Sequence, residues 1–171
     1  MKLGRELLSA ESIRNKVAEL GAEISAAYPP DCELLCIGVL TGCYVFAADL
    51  LREITQPVEV AFIRASSYGS GTESAGEVAV TGAADVRGRD VLLIDELIDS
   101  GHTARKLLDI FAGQEPKSLR YCALLDKPSR RETAVSADFT GFTIEDYFVV
   151  GYGLDCGGKW RNLPSICVVD S

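Results

Sequence analysis

Apolar residues form continuous runs of strand length at positions 34–40 and 91–94, and residues 118–125 predict another buried strand. Continuous apolar runs of this kind are typical of strands that are buried on both faces of a parallel sheet. A partly alternating segment at 58–65 and a short one at 77–81 predict two further strands. The pattern therefore indicates a sheet whose central strands are covered on both sides.

Segments with helical spacing separate these strands. Apolar residues recur every three or four positions from Ile13 to Ile24, behind a capping signal that starts at Ser9. This predicts an amphipathic helix over about residues 10–27. Further helices are expected from residue 41 to about 53 and from 104 to 111. Because strands and helices alternate with short connections, we predict an α/β fold with a parallel-centred, twisted sheet flanked by helices.

The C-terminal tail has a different pattern. Short strand segments within residues 142–153 and a final strand at 165–169 flank a loop. The chain contains no internal repeat and no linker-like stretch. We therefore predict a single domain over residues 1–171, with a small hood contributed by about residues 1–10 and 140–171.

Charge and composition restrict the expected partners. The net charge is -8 and the isoelectric point about 4.7, so the overall field would repel nucleic acid and anionic membranes. No apolar run approaches the length that spans a bilayer, and the N-terminal residues lack a secretory pattern. The six cysteines show no metal-binding spacing, which indicates reduced, buried thiols. We expect a cytoplasmic protein without a nucleic-acid or membrane partner.

The segment from Ser66 to Gly76 is too rich in glycine and serine to form part of a core. One interpretation is a disordered surface loop or the tip of a hairpin. The other is a mobile lid, because long glycine-rich loops beside a site commonly close over reactive ligands.

The most informative stretch is residues 91–103, in which an apolar strand is closed by Asp95 and Glu96 and followed by a tight turn into a helix. The turn amides and the helix N-terminus form a suitable site for a phosphate. The two acids would stand at the carboxyl edge of a parallel sheet, where open α/β folds bind ligands. A sugar phosphate with Mg²⁺ fits this combination. The alternative is an ordinary strand-to-helix junction with solvated acids.

The same stretch resembles the phosphoribosyl-diphosphate signature of the phosphoribosyltransferases, and the acid at Asp99 resembles the purine-salvage, hypoxanthine-guanine branch. Similar motifs recur in the family's order along most of the chain, from about Leu8 to Val169. The resemblance implies the type I phosphoribosyltransferase fold. It also implies Mg²⁺-dependent transfer of phosphoribosyl from 5-phosphoribosyl 1-diphosphate to hypoxanthine, and to guanine, with release of pyrophosphate. The motifs, beside the signature itself, are residues 38–40, Ser67-Tyr68, residues 125–128 and residues 149–152.

By this resemblance, Asp95 and Glu96 hold the ribose hydroxyls directly or through Mg²⁺, and Asp99 is the general base. The residues expected around the 5′-phosphate are Asp99, Ser100, Gly101, His102 and Thr103. Those expected around the pyrophosphate are Leu40, Thr41, Gly42 and Arg161. Those expected around the purine are Lys127, Phe148, Val149 and Asp155, with Asp155 also linked to the metal. Ser67 and Tyr68 belong to the family's flexible catalytic loop, which favours the lid interpretation.

Several of these residues also have ordinary explanations. Lys127 could be a solvated loop lysine, and Phe148 could be plain core. His102 is the only histidine, but its position is variable in the family, so we expect its amide to matter more than its ring. Arg130 and Arg131 look like a solvated pair near the site.

The chain departs from the family pattern at three places. The pyrophosphate loop usually reads Leu-Lys-Gly, whereas residues 40–42 read Leu-Thr-Gly, so one cation is missing there. In the family, the peptide before that lysine position can be cis. The acidic pair is Asp-Glu, where Glu-Asp or Glu-Glu is more frequent, and residues 156–158 replace a more polar stretch. These departures put the affinity for the diphosphate and the selectivity for the base in question.

Three competing functions remain open at this stage. A nucleotide-sensing RNA-binding regulator on the same fold would need a basic face, which the acidic composition does not predict. A xanthine-preferring transferase would differ only in contacts to the purine C2 substituent. A phospho-acceptor receiver domain would also place acids at strand ends, but it fits the 99–103 turn poorly. The expected partners are 5-phosphoribosyl 1-diphosphate and a 6-oxopurine, in a homodimer or homotetramer.

Overall fold

A computed structural model describes residues 2–68, 77–82 and 84–170. Its helices are α1 (Ala10–Ala27), α2 (Tyr44–Glu53) and α3 (His102–Ala112), with a short 3-10 turn at Pro128–Arg130. Its strands are β1 (Lys2–Leu8), β2 (Leu34–Leu40), β3 (Val58–Tyr68), β4 (Glu77–Thr81), β5 (Asp90–Ile98), β6 (Ser118–Asp126), β7 (Phe139–Thr143), β8 (Val149–Val150) and β9 (Ile166–Asp170).

Six strands form the main sheet in the order β4-β3-β2-β5-β6-β7. The five strands from β3 to β7 in this order are parallel, and β4 is antiparallel at one edge. The predicted parallel-centred α/β fold is therefore confirmed. Because β2, β5 and β6 are neighbours, the loops after their carboxyl ends meet at the same edge of the sheet.

Helices cover both faces of this sheet, which explains the continuous apolar runs. In β5, Leu92 and Ile94 pack in the cluster that contains the buried face of α1 and α2. Val91 and Leu93 pack in the cluster that contains α3. Successive strand residues point to opposite faces, so these four residues lie alternately in the two cores. The expected N-cap is also present, since the Ser9 hydroxyl accepts the Ser12 amide at 3.1 Å.

The two ends of the chain build a second, three-stranded sheet in the order β1-β9-β8. β9 pairs antiparallel with β1 on one side and with β8 on the other. These strands come from the segments that the sequence assigned to a hood. The assignment of a covering role to them stays a prediction.

Two strands are longer than the apolar pattern indicates. Asp95 and Glu96 do not close β5, because the strand continues to Ile98 through pairing with β6. β3 likewise continues to Tyr68, paired with β4. The remainder of the segment expected to form a lid, residues 69–76, lies outside the described residues. None of the described helices has the length and apolar character needed to cross a bilayer.

Candidate active site

The turn between β5 and α3 encloses a small cavity. Gly101 precedes α3 with φ 90° and ψ -5°, a left-handed conformation that glycine adopts without strain. The amides of the first turn of α3 have no partner inside the helix, and they are the natural donors for an anion. The cavity has a volume of about 90 Å³. Its lining residues are Asp95, Leu97, Ile98, Asp99, Ser100, Gly101, Thr103 and Ala104.

A segment after β6 supports this turn from outside. The Glu132 and Thr133 amides donate to the Ser100 carbonyl at 2.9 and 3.3 Å. A Cβ on Gly101 would come within 2.5 Å of Thr133 Oγ1, so only glycine fits there. The His102 ring lies outside the cavity, where its Nε2 is 2.9 Å from Glu132 Oε2. The geometry therefore leaves the His102 amide, rather than its ring, available to a ligand.

The two acids of β5 are withdrawn from solvent. Asp95 is 6 % exposed, and it accepts the Tyr121 hydroxyl at 2.6 Å and the Glu96 amide at 2.9 Å. Glu96 Oε2 is a buried oxygen without a hydrogen-bond partner among the described residues. Burial raises the pKa of both carboxyls, and the neighbouring Asp95 carboxylate raises that of Glu96 further. The alternative of solvated acids at an ordinary junction is therefore wrong.

An unpartnered, buried carboxylate oxygen fits a divalent cation, because hard cations such as Mg²⁺ bind carboxylate oxygens. Within residues 2–68, 77–82 and 84–170, no three acidic, cysteine or histidine side chains are grouped to hold an ion alone. An ion at Asp95 and Glu96 would complete its coordination with substrate and water, as Mg²⁺ usually does.

The loop after β2 lies directly over Glu96. The Leu40–Thr41 peptide is cis. A Cβ on Gly42 would overlap the Glu96 carboxylate, and a Cβ on Gly153 of the tail would overlap the Gly42 carbonyl. Gly42 is thus enclosed between an acid of the sheet and the backbone of the tail.

The tail brings Arg161 to the same place. Its guanidinium donates to the Gly153 carbonyl at 2.6 Å and pairs with Asp155 Oδ1 at 2.7 Å. Asp155 Oδ2 also accepts the Gly158 amide at 2.6 Å. The structure therefore brings the 40–42 loop and Arg161 together, with Asp155 holding the arginine.

The loop after β6 carries a chain of ion pairs. Arg130 Nε lies 3.3 Å from Asp99 Oδ1 and 3.7 Å from Asp146 Oδ1. Asp146 Oδ1 is in turn 3.9 Å from Lys127 Nζ. Arg131 pairs with Asp126, donates to the Asp99 carbonyl and has only 15 % of its side chain exposed. Arg131 is therefore not a solvated residue, whereas Arg130 is half-exposed and forms ion pairs with Asp99 and Asp146.

The structure also rejects the ordinary explanations for two purine-site candidates. Lys127 is 4 % exposed, so it is not a solvated loop lysine. Phe148 is 55 % exposed, so it is not a core residue. Val149, next to it, is buried and pairs with Val168 in the second sheet. An exposed aromatic ring next to a buried, strand-paired residue is suited to stacking on a planar ligand.

Sequence reasoning missed three residues of this region. Tyr121 was part of an apolar strand, and nothing in the local pattern indicates that its hydroxyl reaches Asp95. Arg130 was noticed but not connected to Asp99, and Asp146 was not noticed at all. The connections join residues distant along the chain, so no periodicity reports them.

Comparison with known proteins agrees with this geometry. Residues 5–156 match the phosphoribosyl transferase domain family. The hypoxanthine-guanine phosphoribosyltransferase of Bacillus subtilis is 47% identical over 165 residues, which are 95% of this chain and 91% of that protein. The hypoxanthine phosphoribosyltransferase of Salmonella typhimurium is 45% identical over 170 residues, 97% and 96% of the two chains.

A crystal structure of a hypoxanthine-guanine phosphoribosyltransferase from Bacillus anthracis superposes with a TM-score of 0.93 at 43% identity. The match covers 99% of this chain and 100% of that one. The chain belongs to the phosphoribosyl transferase domain family. Its similarity to hypoxanthine and hypoxanthine-guanine phosphoribosyltransferases over nearly the full length confirms the relationship expected from the sequence. It is accordingly an enzyme of the pentosyltransferase class with the type I phosphoribosyltransferase fold.

Proposed function

We propose that the protein catalyses Mg²⁺-dependent transfer of phosphoribosyl from 5-phosphoribosyl 1-diphosphate to hypoxanthine, and to guanine, in purine salvage. The products are IMP or GMP and pyrophosphate. The observation that carries this proposal is the position of Asp95 and Glu96. The buried pair lies between the cavity of the β5–α3 turn and the loop after β2, and one Glu96 oxygen has no hydrogen-bond partner in the described part of the chain.

The 5′-phosphate would occupy the cavity of the β5–α3 turn. The amides of Gly101 and His102 and the hydroxyls of Ser100 and Thr103 are the proposed donors. The cavity adjoins Asp95, which supports a position for the ribose next to the acidic pair. Asp95 and Glu96 would hold the 2′ and 3′ hydroxyls and Mg²⁺. The metal, when bound, supplies charge stabilisation to the departing pyrophosphate.

The pyrophosphate would lie against Leu40, Thr41, Gly42 and Arg161. Thr41 provides no cation, so Arg161 is the proposed charged donor, and its planar fork suits phosphate oxygens. Asp155 holds this arginine at 2.7 Å and forms the proposed link between it and the metal. Displacement at the anomeric carbon develops positive charge on the ribose while negative charge accumulates on the leaving group.

The purine would stack on Phe148, with main-chain groups of Val149 and the loop of Asp155 at its edge. Lys127 would donate to the 6-oxo group, which excludes adenine because an exocyclic amine leaves the ammonium protons unpaired. Asp99 would take the proton from N7 as the general base, and Arg130, 3.3 Å away, keeps its carboxylate in place.

We further propose a cytoplasmic homodimer or homotetramer. Five cysteines are buried free thiols, which suits a reducing compartment: Cys32, Cys36, Cys43, Cys122 and Cys167. Val60 and Phe62 lie on one face of β3 and are 45 % and 43 % exposed, which suits burial against a second subunit. Light scattering coupled to size exclusion tests the assembly, and a concentration-independent monomer would contradict it.

The decisive experiment incubates the protein with 5-phosphoribosyl 1-diphosphate, Mg²⁺ and one purine, with nucleotide formation followed by chromatography. We expect IMP and GMP, no AMP, and loss of both products when a chelator removes the metal. Faster turnover of xanthine would instead support the xanthine-preferring alternative. No turnover of any 6-oxopurine, together with tight RNA binding, would replace the proposal by the regulator.

A further inference from the structure

A tyrosine of the core, Tyr121, contacts one residue of the acidic pair, Asp95. Tyr121 of β6 is paired with Leu93 of β5, so it lies diagonally from Asp95 on the same face of the sheet. Its side chain is fully buried, and its hydroxyl donates to Asp95 Oδ2 at 2.6 Å. The other Asp95 oxygen accepts the Glu96 amide at 2.9 Å. Each oxygen of the carboxylate therefore has at least one fixed donor.

This contact matters because no cation of the described residues forms an ion pair with Asp95. In the described part of the chain, the ion pairs bind other acids, including Asp90, Asp99 and Asp155, and none includes Asp95. The rotation of the Asp95 carboxylate is thus set by neutral donors, the Tyr121 hydroxyl and the backbone amides of Glu96 and Leu97. An ionised carboxylate can accept about four hydrogen bonds, so further acceptor positions remain for a ligand at the adjoining cavity.

We propose that Tyr121 is a positioning residue for the ribose and metal end of the site. Its hydroxyl holds the Asp95 carboxylate in one rotation, so that the free acceptor positions face the diol of a bound phosphoribosyl diphosphate and its Mg²⁺. The inference rests on the proposed function and extends it to a residue that touches no substrate. It predicts a dependence of diphosphate binding on one buried hydroxyl, with no dependence of purine binding.

The direct test is Tyr121→Phe, which keeps the ring in the core and removes only the hydroxyl. Tyr28→Phe is the matched control, because Tyr28 is also a buried tyrosine whose hydroxyl lies 3.5 Å from a backbone carbonyl, that of Val91. Calorimetric titration with 5-phosphoribosyl 1-diphosphate and Mg²⁺, without purine, measures binding independently of turnover. We expect about 10-fold weaker binding for Tyr121→Phe and no comparable change for Tyr28→Phe.

Steady-state kinetics then distinguish a positioning role of Tyr121 from a general destabilisation of the site. For Tyr121→Phe, the KM for the diphosphate should rise about 10-fold, whereas the KM for hypoxanthine at saturating diphosphate stays within about 2-fold. In an Asp95→Asn background, removal of the Tyr121 hydroxyl should add little, because the two residues act through one contact. Equal losses for both substrates, or full additivity with Asp95→Asn, would overturn the inference. Tyr121→Leu provides a second variant without the hydroxyl if the phenylalanine variant does not fold.

The outcomes distinguish this inference from the function on which it rests. Diphosphate binding that weakens in Tyr121→Phe, with no turnover of any 6-oxopurine by the unaltered protein, supports the inference and contradicts the proposed reaction. Turnover and diphosphate binding that are both unchanged in Tyr121→Phe overturn the inference and leave the reaction standing. Absence of diphosphate binding in the unaltered protein overturns both.

Discussion

Gly42 packs directly against the carboxylate of Glu96, so the loop after β2 and the acid of β5 share one surface with no room for a side chain between them. This contact joins the proposed pyrophosphate loop to the proposed metal ligand. A substitution at either residue should therefore displace the other.

We expect Gly42→Ala to lower kcat/KM for the diphosphate by about 10-fold or more, because the added methyl group displaces the Glu96 carboxylate or the loop, and small misplacements at a site are costly. Steady-state kinetics at fixed purine measure this effect. Gly113→Ala is the control, since a Cβ there would meet its nearest atom, the Asp109 carbonyl oxygen, at an ordinary 3.4 Å. Unaltered kinetics for Gly42→Ala would remove the 40–42 loop from the site.

Glu96→Gln should stabilise the ligand-free protein at neutral pH by about 1–3 kcal/mol, because it removes a buried charge with an unpartnered oxygen. The pKa of the Glu96 carboxyl is raised in the folded state, so the folded protein binds this proton more tightly than the unfolded chain does. The destabilisation due to Glu96 is therefore absent below the unfolded pKa of about 4.3 and grows as the pH rises above it.

Thermal unfolding of both proteins between pH 4.5 and 8, without ligand or metal, checks this prediction. The two melting temperatures should lie closest at the acid end and separate as the pH rises. Glu23→Gln, on the exposed side of α1, should show no such separation. A Glu96→Gln variant that is less stable at pH 8 than the unaltered protein would show that Glu96 has a partner under these conditions.

Asp99→Asn should reduce turnover by about 10²-fold or more, because the amide keeps the shape of the side chain but cannot accept the purine proton. Binding of the diphosphate should persist, since the amides and hydroxyls of the turn are untouched. Single-turnover kinetics and calorimetry measure the two effects separately. Asp109→Asn, an exposed acid paired with Arg105 on α3, serves as the control. A rate unchanged by Asp99→Asn would exclude Asp99 as the base.

Lys127→Met should raise the KM for hypoxanthine by about 10-fold or more while leaving diphosphate binding nearly unchanged, because methionine fills the same space without donors for the 6-oxo group. The ratio of hypoxanthine to adenine use should fall as well. Lys106→Met, at an exposed position of α3, is the control. Equal losses for purine and diphosphate would show that Lys127 supports the site as a whole.

The main elements could be predicted because their causes are local. The apolar run of β2 reflects burial on two faces, and the helical spacing of α1 reflects burial on one face. The predicted first and last residues of both elements agree closely with the structure. The end of β5 was misjudged because acids are rare inside strands. Here pairing with β6 carries the strand past Asp95 and Glu96 to Ile98. Tertiary pairing outweighs local preference at such positions.

The candidate site was predictable where it lies in one stretch and not where it joins distant ones. The turn at 99–103 was identified from its own residues. The contact of Tyr121 with Asp95 and that of Arg130 with Asp99 span 26 and 31 positions and depend on strand order. A single sequence offers no periodic signal for pairs of this kind, and Tyr121 counts as one more apolar residue in its strand.

The contact between Gly153 and the Gly42 carbonyl involves only main-chain atoms. Flexible side chains can absorb a displacement by changing rotamer, but two abutting peptide backbones cannot. A displacement of the Gly153 backbone should therefore displace the loop after β2, and through Gly42 it should also move the Glu96 carboxylate. The loop after β8 and the carboxyl edge of the main sheet are thus in direct contact through their main chains.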